Sequence, residues 1–284
     1  MPYISRPISF IYIIVIMILA GCNSRQKEYE SPSGYHLSNP FIIKLPSELD
    51  GISGIAYYAK DNSLFAESDQ KGCLYKIFLN KPTDIRKWKF GHKRDYEDIV
   101  LHDSTFYILN NNGDIVSLSF LNDSLITHEF TFSESGKFEF ESLYYDDKLQ
   151  KVVLLCKDCE IDRKTTVSTY SFDLLQFVYA SSLVIDVKDV ADAIGPTSVK
   201  FKPSGASVNP VTGELYILSS VNKLLVITER NGGVKEVYHL DPRLFNQPEG
   251  IAFTPNGGLF ISNEASADQP ATILYYQFKN STAK

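Results

Sequence analysis

Three glutamates recur along this 284-residue chain at a regular spacing, and they suggest its most specific chemistry. Glu97, Glu141 and Glu249 each open a short apolar run, and equivalent runs open at Ser53 and Ser204. The intervals between these five anchor positions are 44, 44, 63 and 45 residues. If equivalent positions face one axis, the three carboxylates repel one another unless their pKa values rise or a cation lies among them.

A cation held by the anchors would have oxygen ligands, because neither His nor Cys occurs at these positions. Such a donor set favours Ca²⁺ over zinc or copper. We therefore predict a Ca²⁺ site with ligands from Glu97, Glu141, Glu249, Ser53 and Ser204. In the alternative interpretation, each glutamate accepts hydrogen bonds from backbone N–H groups of its own repeat and never faces its counterparts. The spacing alone leaves both interpretations open.

A repeat of about 44 residues is typical of a β-propeller, in which each repeat forms one four-stranded blade. Further short apolar runs follow each anchor, and their period-2 alternation suits half-buried strands. Four repeats contain four such runs, whereas the fifth stops after its third, at Phe278. Residues 41–45 can supply the missing strand and so cover two sheet edges. We predict an all-β fold: a five-bladed propeller of four-stranded antiparallel blades, closed by the N-terminal strand.

The long interval between Glu141 and Ser204 raises the alternative of a six-bladed ring. It exceeds the usual 44 residues by 19, too few for four strands of about five residues with their turns. Val187, Val190 and Ile194 follow one another at near-helical spacing. The excess therefore predicts a longer loop and one short helix inserted into a five-bladed ring.

The first 22 residues are organised like a bacterial export signal. Their apolar run, residues 8–19, is shorter than the roughly 20 residues of a transmembrane helix. The run ends in Leu-Ala-Gly-Cys, which resembles the lipoprotein signal cleaved before a lipidated cysteine; the alternative is a plain secretory signal. We predict a signal peptide at 1–21, lipidation of Cys22, a polar tether at 22–40 and one propeller domain at 41–279. The lipid chains would anchor the protein in a cell-envelope membrane, with the propeller outside the cytoplasm.

The remaining cysteines are expected to have structural roles. Cys156 and Cys159 have the C-x-x-C spacing of redox and metal sites, and an exported chain can form disulfides. No second C-x-x-C and no nearby His completes a zinc site, so we interpret the pair as a strand end running into a loop. Cys73 is expected to be a small buried hydrophobic residue.

Composition excludes one class of partner. The chain carries 28 Lys and Arg against 34 Asp and Glu, a net charge of −6, and it has no basic cluster. Binding to a phosphate backbone needs a basic surface, so we expect no nucleic-acid partner. We expect a monomer that meets the membrane through its lipid anchor and binds an unidentified small molecule or protein on one propeller face.

Around the anchors, the sequence resembles the SdiA-regulated (YjiK-type) β-propeller proteins of bacteria. The resemblance extends over residues 41–278 and rests on segments 49–55, 95–99, 140–143, 203–206 and 247–253. The last segment reads Q-P-E-G-I-A-F, a motif also found in NHL-type propellers. Asp98 and Ser142 stand where the family pattern favours Gly. The resemblance implies a five-bladed propeller, a membrane-associated N-terminus, calcium in some members and no settled activity. It also favours the cell membrane, with the outer membrane as the alternative.

Two functions are compatible with these residues. The first is a calcium-binding, envelope-anchored module that receives a ligand without catalysis. The second is a calcium-dependent hydrolase similar to lactonases and phosphotriesterases, which needs a general base beside the metal. Of the five His residues, His92 alone shortly precedes an anchor, and we expect it in a solvated loop. We assign no catalytic residue and favour the binding module.

Overall fold

The computed structural model describes residues 28–68, 71–122, 124–195 and 199–279. Their strands form five four-stranded antiparallel sheets, which are the blades of a propeller. Blade 1 contains, from the channel outwards, β2 (Ile52–Tyr58), β3 (Ser63–Ser68), β4 (Cys73–Phe78) and β5 (Ile85–Lys89). Blade 2 contains β6 (Tyr96–His102), β7 (Thr105–Asn110), β8 (Ile115–Leu121) and β9 (Ser124–Phe130). Blade 3 contains β10 (Phe140–Asp146), β11 (Lys151–Cys156), β12 (Thr166–Asp173) and β13 (Tyr179–Asp186).

Blade 4 contains β14 (Gly205–Val208), β15 (Leu215–Ser219), β16 (Leu224–Thr228) and β17 (Val234–His239). Blade 5 contains β18 (Pro248–Phe253), β19 (Leu259–Asn263), β20 (Thr272–Tyr276) and β1 (Phe41–Lys44). In blade 5, Ile43 lies opposite Ile273 and Phe41 lies opposite Tyr275. The predicted closure is therefore confirmed: the N-terminal strand completes the last blade.

The hydrophobic core lies between neighbouring blades. Each of the five apolar clusters contains residues of two adjacent blades, including the pair formed by blades 5 and 1. Neighbouring blades also touch through their innermost strands, and β18 contacts β2 to complete the ring. Burial falls from the channel outwards: β3 is buried throughout, whereas β9 is mostly exposed. This gradient explains why the inner strands are apolar and the outer strands are polar.

The excess residues of blade 3 form a loop and a helix, as the sequence predicts. The loop contains the 3₁₀ helix Glu160–Asp162, and a second 3₁₀ helix, Ser47–Leu49, precedes blade 1. Helix α1 (Val187–Ile194) begins where the Asp186 carboxylate accepts a hydrogen bond from the Lys188 N–H, at 2.7 Å. Within the described part of the chain, no helix is long and apolar enough to cross a membrane.

The N-terminal segment differs from its prediction as a tether. Residues 1–27, with the predicted signal peptide and Cys22, lie outside the described residues. Within the remainder of the predicted tether, Tyr35 and Leu37 are 3% exposed and pack into the cluster between blades 4 and 5. The Tyr35 hydroxyl donates to the Gly257 carbonyl at 2.7 Å. The packed chain therefore begins before Phe41, because two apolar side chains outweigh the polar composition around them.

The three cysteines among the described residues, Cys73, Cys156 and Cys159, are buried. The strand β11 ends at Cys156 and runs into the long loop, as predicted. The sequence leaves the pairing open, and Cys156 and Cys159 form a disulfide there. Their Cα atoms lie 5.7 Å apart. Cys73 is a buried free thiol, also as predicted.

Candidate functional site

Four of the five anchors lie at a β-bulge near the start of the innermost strand of their blade. In three blades the register shift spans a glutamate: Glu97, Glu141 or Glu249. In blade 1 it spans Ser53 and Gly54. An extra residue in one strand re-aims its side chain out of the regular alternation. The bulges therefore let buried strands present polar side chains to the channel.

The innermost strands begin at one end of the channel, and we call that end of the propeller the mouth face. These side chains line one cavity of about 480 Å³ at the mouth face. Ser53, Glu97, Glu141 and Glu249 line the cavity, so four of the five predicted site residues come together there. The anchor pattern does not predict the other lining residues, which are Asp95, Lys157, Ser220, Val221, Lys223, Gln247 and Glu264. Five carboxylates and two ammonium groups give the lining a formal charge of −3. The cavity is therefore suited to a cation.

Five of these seven lining residues occupy regular places in the repeat. Asp95 and Gln247 each precede an anchor by two positions. Lys157, Ser220 and Glu264 each follow the last residue of a second strand, which returns to the mouth face. A comparison of the second-strand ends across the repeats could have identified Lys157, Ser220 and Glu264.

Ser204 is the predicted ligand that does not line the cavity. Its hydroxyl donates to the Pro248 carbonyl at 2.7 Å and accepts from the Ser220 N–H at 3.1 Å. The first bond joins blade 4 to the start of blade 5. Ser204 therefore links neighbouring blades beneath the mouth face.

Glu249 has a strongly perturbed carboxylate in the cavity lining. Burial raises its pKa from 4.5 to about 7, and the nearby Glu264 adds to the increase. A hydrogen bond from the Ser220 hydroxyl and the charges of Lys157 and Lys223 act in the opposite direction. Burial disfavours the charged form of Lys223 as well, and so lowers its pKa. The ammonium group of Lys223 donates to the Ser220 carbonyl at 2.6 Å. The neighbouring hydrogen bond and ammonium groups therefore do not fully offset the desolvation of the charged Glu249 carboxylate.

Glu141 is instead paired with a cation from its own blade. The ammonium group of Lys157 contacts the Glu141 carboxylate and lies 3.4 Å from that of Glu139. Lys157 is the residue between Cys156 and Asp158 in the C-x-x-C loop, and its N–H donates to the Glu139 carbonyl at 2.8 Å. The loop therefore directs one positive charge into the acidic cavity.

The lining has the chemistry of a Ca²⁺ site without its converged geometry. Two oxygens bound to one calcium lie no more than about 5 Å apart, because each lies about 2.3 to 2.6 Å from the ion. Among the described residues, Glu97, Glu141 and Glu249 do not form a group whose oxygens all lie within 4.8 Å of one another. Their all-oxygen donor set fits a hard cation, but binding one ion through all three requires their side chains to turn inwards.

The structure explains why Asp98, which follows the anchor Glu97, stands where the family pattern favours Gly. Its buried carboxylate accepts from the Leu143 N–H at 2.7 Å and from the Ile99 N–H at 2.8 Å, which connects blades 2 and 3. Burial raises its pKa well above the usual range. At the equivalent position of blade 1, a Cβ on Gly54 would lie 2.4 Å from the Asp98 carboxylate. Glycine allows blades 1 and 2 to pack closely at Gly54, whereas blades 2 and 3 are joined by the hydrogen bond between Asp98 and Leu143. The structure gives no comparable explanation for Ser142.

The remainder of the channel has no charged side chain among its described lining residues. A smaller cavity of about 160 Å³ follows the innermost strands away from the mouth face, and Ile55, Ile99, Val208 and Ile251 contribute to its lining. His92 is exposed and lines a different cavity beside Arg94 and His128. Among the described residues that line the mouth cavity, none is a histidine.

Comparison with known proteins places the fold and the anchors in one family. The model of the family described as SdiA-regulated matches residues 42–279, which include every blade. The chain belongs to the SdiA-regulated family. All five anchors of this SdiA-regulated protein lie within the matched region. No curated protein matches the chain by sequence.

Solved structures similar to this SdiA-regulated protein include enzymes of distant sequence. A glutaminyl cyclase from Myxococcus xanthus is 13% identical, with a TM-score of 0.58; the match covers 84% of this chain and 96% of the other. A gluconolactonase from Xanthomonas campestris is 11% identical, with a TM-score of 0.53 and coverage of 86% and 81%. At such identities the likeness concerns the propeller fold alone, since one fold supports many functions.

Proposed function

We propose that this protein is an envelope-anchored binding module whose mouth cavity binds Ca²⁺, either alone or together with a ligand. The observation that carries the proposal is the group of bulged anchors, which brings the carboxylates of Glu97, Glu141 and Glu249 to one cavity. The raised pKa of Glu249 supports it, because a bound cation would stabilise the charged form of this carboxylate. Ser53 would supply a further oxygen, together with backbone carbonyls and water.

Calcium titration of the metal-free protein tests this function. If Ca²⁺ binds the folded ring only, a concentration about 100 times its Kd stabilises the fold by roughly 2.7 kcal/mol and raises Tm. Replacing Glu249 by Gln keeps the shape and one oxygen but removes a charge, so the calcium-dependent rise in Tm is expected to shrink. Glu134→Gln is the matched control, because Glu134 is exposed and does not line the cavity. A wild-type melting curve that does not change with Ca²⁺ or EDTA would contradict the proposal.

A calcium-dependent hydrolase of the lactonase or phosphotriesterase type is the second candidate. The observation in its favour is Glu249, because a carboxylate with a pKa of about 7 can accept a proton near neutral pH if Glu97 and Glu141 hold the ion and Glu249 does not bind it. No histidine among the described lining residues competes for that role. Hydrolysis of lactone or aryl phosphotriester probes that depends on Ca²⁺ and is lost in Glu249→Gln would favour this candidate. Calcium binding with no turnover would favour the binding module.

The location of the module belongs to the same proposal. Residues 8–19 and the Leu-Ala-Gly-Cys sequence support export and lipidation of Cys22. The expected product is a membrane-bound monomer with its propeller outside the cytoplasm, in the cell membrane rather than the outer membrane. In Cys22→Ala, the unprocessed precursor is expected to accumulate and to take up no labelled fatty acid. Unchanged processing and labelling in this variant would exclude lipidation of Cys22.

A further inference from the structure

A second pocket lies on the mouth face, beside the mouth cavity. It has a volume of about 140 Å³ and is formed by the loop that joins β11 to β12 and by the segment that leads into β14. Lys157 lines both the pocket and the mouth cavity, so the two are neighbours. We call it the lysine pocket, and its charged lining residues are Lys157, Asp158, Asp162, Lys164, Lys200 and Lys202.

The charge of the lysine pocket is opposite to that of its surroundings. Four lysines and two aspartates give its lining a formal charge of +2, whereas the mouth cavity carries −3 and the whole chain −6. The lysines are separated along the chain, at positions 157, 164, 200 and 202, so the sequence alone shows no basic cluster. The fold therefore assembles this positive charge, which favours an anion.

The two aspartates of the pocket already have partners. Asp162 is 6% exposed, and its carboxylate accepts from the Thr166 hydroxyl at 2.8 Å and from the N–H and hydroxyl of Ser168 at 2.9 and 2.6 Å. The Asp158 carboxylate pairs with the Lys202 ammonium group at 2.8 Å, and this hydrogen bond is the main reason that the pKa of Asp158 is lowered. Neither carboxylate therefore pairs with the two remaining exposed lysines.

Lys164 and Lys200 are these two lysines. Both are exposed, and neither forms an ion pair with another residue that the structure describes. Lys157 differs, because its ammonium group contacts the Glu141 carboxylate of the mouth cavity. With Lys157 left out, the lining still has a formal charge of +1. Two ammonium groups without a carboxylate partner thus border one pocket, where an anion would offset their repulsion.

We propose that the lysine pocket binds a phosphate group through the ammonium groups of Lys164 and Lys200, with Lys202 as a third neighbour. Lysine binds phosphate as a point charge, whereas arginine suits the bidentate binding of planar carboxylates. No arginine occurs among the described residues that line the pocket. Phe201 and Val187 also line it and are 4% and 7% exposed, so they exclude part of the solvent that would screen a bound anion. A soluble phosphorylated molecule and a lipid headgroup both present this group.

Titration of the full-length protein with inorganic phosphate in EDTA tests the site independently of Ca²⁺, by isothermal titration calorimetry. Lys164→Met and Lys200→Met are each expected to weaken phosphate binding about threefold, the loss of one exposed ion pair, and the double variant about tenfold. Lys148→Met is the matched control, because Lys148 is exposed beyond the other end of β10 and its loss changes the net charge equally. Equal affinities in wild type and the double variant, or an equal loss in Lys148→Met, would overturn the proposal.

Asp158→Asn tests the sign of the effect. It removes a negative charge from the pocket and leaves Lys202 in place, so phosphate is expected to bind about threefold more tightly. Unchanged or weaker binding in this variant would contradict the proposal. Acetate is the control ligand, and acetate that binds as tightly as phosphate would show that the pocket does not select a phosphate group.

Vesicles distinguish the two sources of the phosphate group. Vesicles of phosphatidylglycerol or of phosphatidylcholine are added to wild-type protein that holds radiolabelled inorganic phosphate. Displacement by phosphatidylglycerol alone would support the site and assign it to an anionic lipid headgroup. Phosphate that stays bound in the presence of either vesicle would support the site and assign it to a soluble phosphorylated molecule. Wild-type protein that binds no inorganic phosphate at the start would overturn the proposal and leave the Ca²⁺ site unaffected.

Discussion

Lys157 holds its ammonium group against the carboxylate of Glu141 at the entrance to the channel. The side chains of the pair are only 23% and 15% exposed, so solvent screens their attraction incompletely. A cation that binds Glu141 must compete with this internal ammonium. We therefore predict that Lys157→Met increases Ca²⁺ affinity roughly tenfold, equivalent to about 1.4 kcal/mol. Isothermal titration calorimetry of both proteins measures the difference.

Lys202→Met is the matched control for this prediction. Lys202 pairs with Asp158, at 2.8 Å, and does not line the mouth cavity. Its loss changes the net charge by the same amount, so it separates the local ion pair from general electrostatics. Equal affinities for Ca²⁺ in wild type and Lys157→Met would show that the ammonium does not compete with the ion.

The raised pKa of Glu249 predicts that the folded protein becomes less stable as the pH rises from about 4.5 to 7. Its folded pKa of about 7 lies above the ordinary 4.5, so the folded state keeps a proton that the unfolded state releases. Its stabilising contribution is complete below about pH 4.5 and is lost as the pH rises towards 7, with a total change of roughly 3 kcal/mol. Urea unfolding in EDTA should show that Glu249→Gln gains stability relative to wild type between pH 5 and pH 8. The same comparison for Glu134→Gln should show no such gain.

The repeats make the fold predictable, since five equivalent anchors and one displaced strand permit a single closed arrangement. The placement of Glu97, Glu141 and Glu249 around one cavity at the mouth face also follows from the repeat. The pairing of Lys157 with Glu141 does not, because it depends on where a second strand ends and a disulfide loop begins. The repeat predicts Ser204 as a ligand only by analogy with the other anchors, and its hydroxyl bonds to backbone groups instead. Local side-chain partners thus decide which repeat-equivalent residues reach the cavity.

The hydrogen bonds of Asp98 predict that Asp98→Ala destabilises the fold more than Asp98→Asn does. Asp98→Ala leaves the buried N–H groups of Leu143 and Ile99 without their acceptor, and each such loss costs about 1 to 3 kcal/mol. Asp98→Asn retains one acceptor oxygen and should lose about half as much. Asp95→Ala is the control, because Asp95 is exposed and its carboxylate accepts a hydrogen bond from the side-chain amide of Asn111 at 3.1 Å. Denaturant unfolding measures the series, and an Ala variant as stable as wild type would show that this link between blades is dispensable.

Tyr35 tests whether the segment before the first strand belongs to the folded domain. Its ring packs on Phe278 and Tyr216, at centroid distances of 5.2 and 6.3 Å, and its hydroxyl accepts from the Asn209 amide at 3.0 Å. Tyr35→Ala removes this packing between blades 4 and 5 and is expected to cost roughly 3 kcal/mol, as for other large aromatic residues in a core. His36→Ala is the neighbouring control, since His36 is exposed and its replacement should leave the unfolding midpoint unchanged. If both variants unfold like the wild type, the segment is a tether that rests on the propeller without stabilising it.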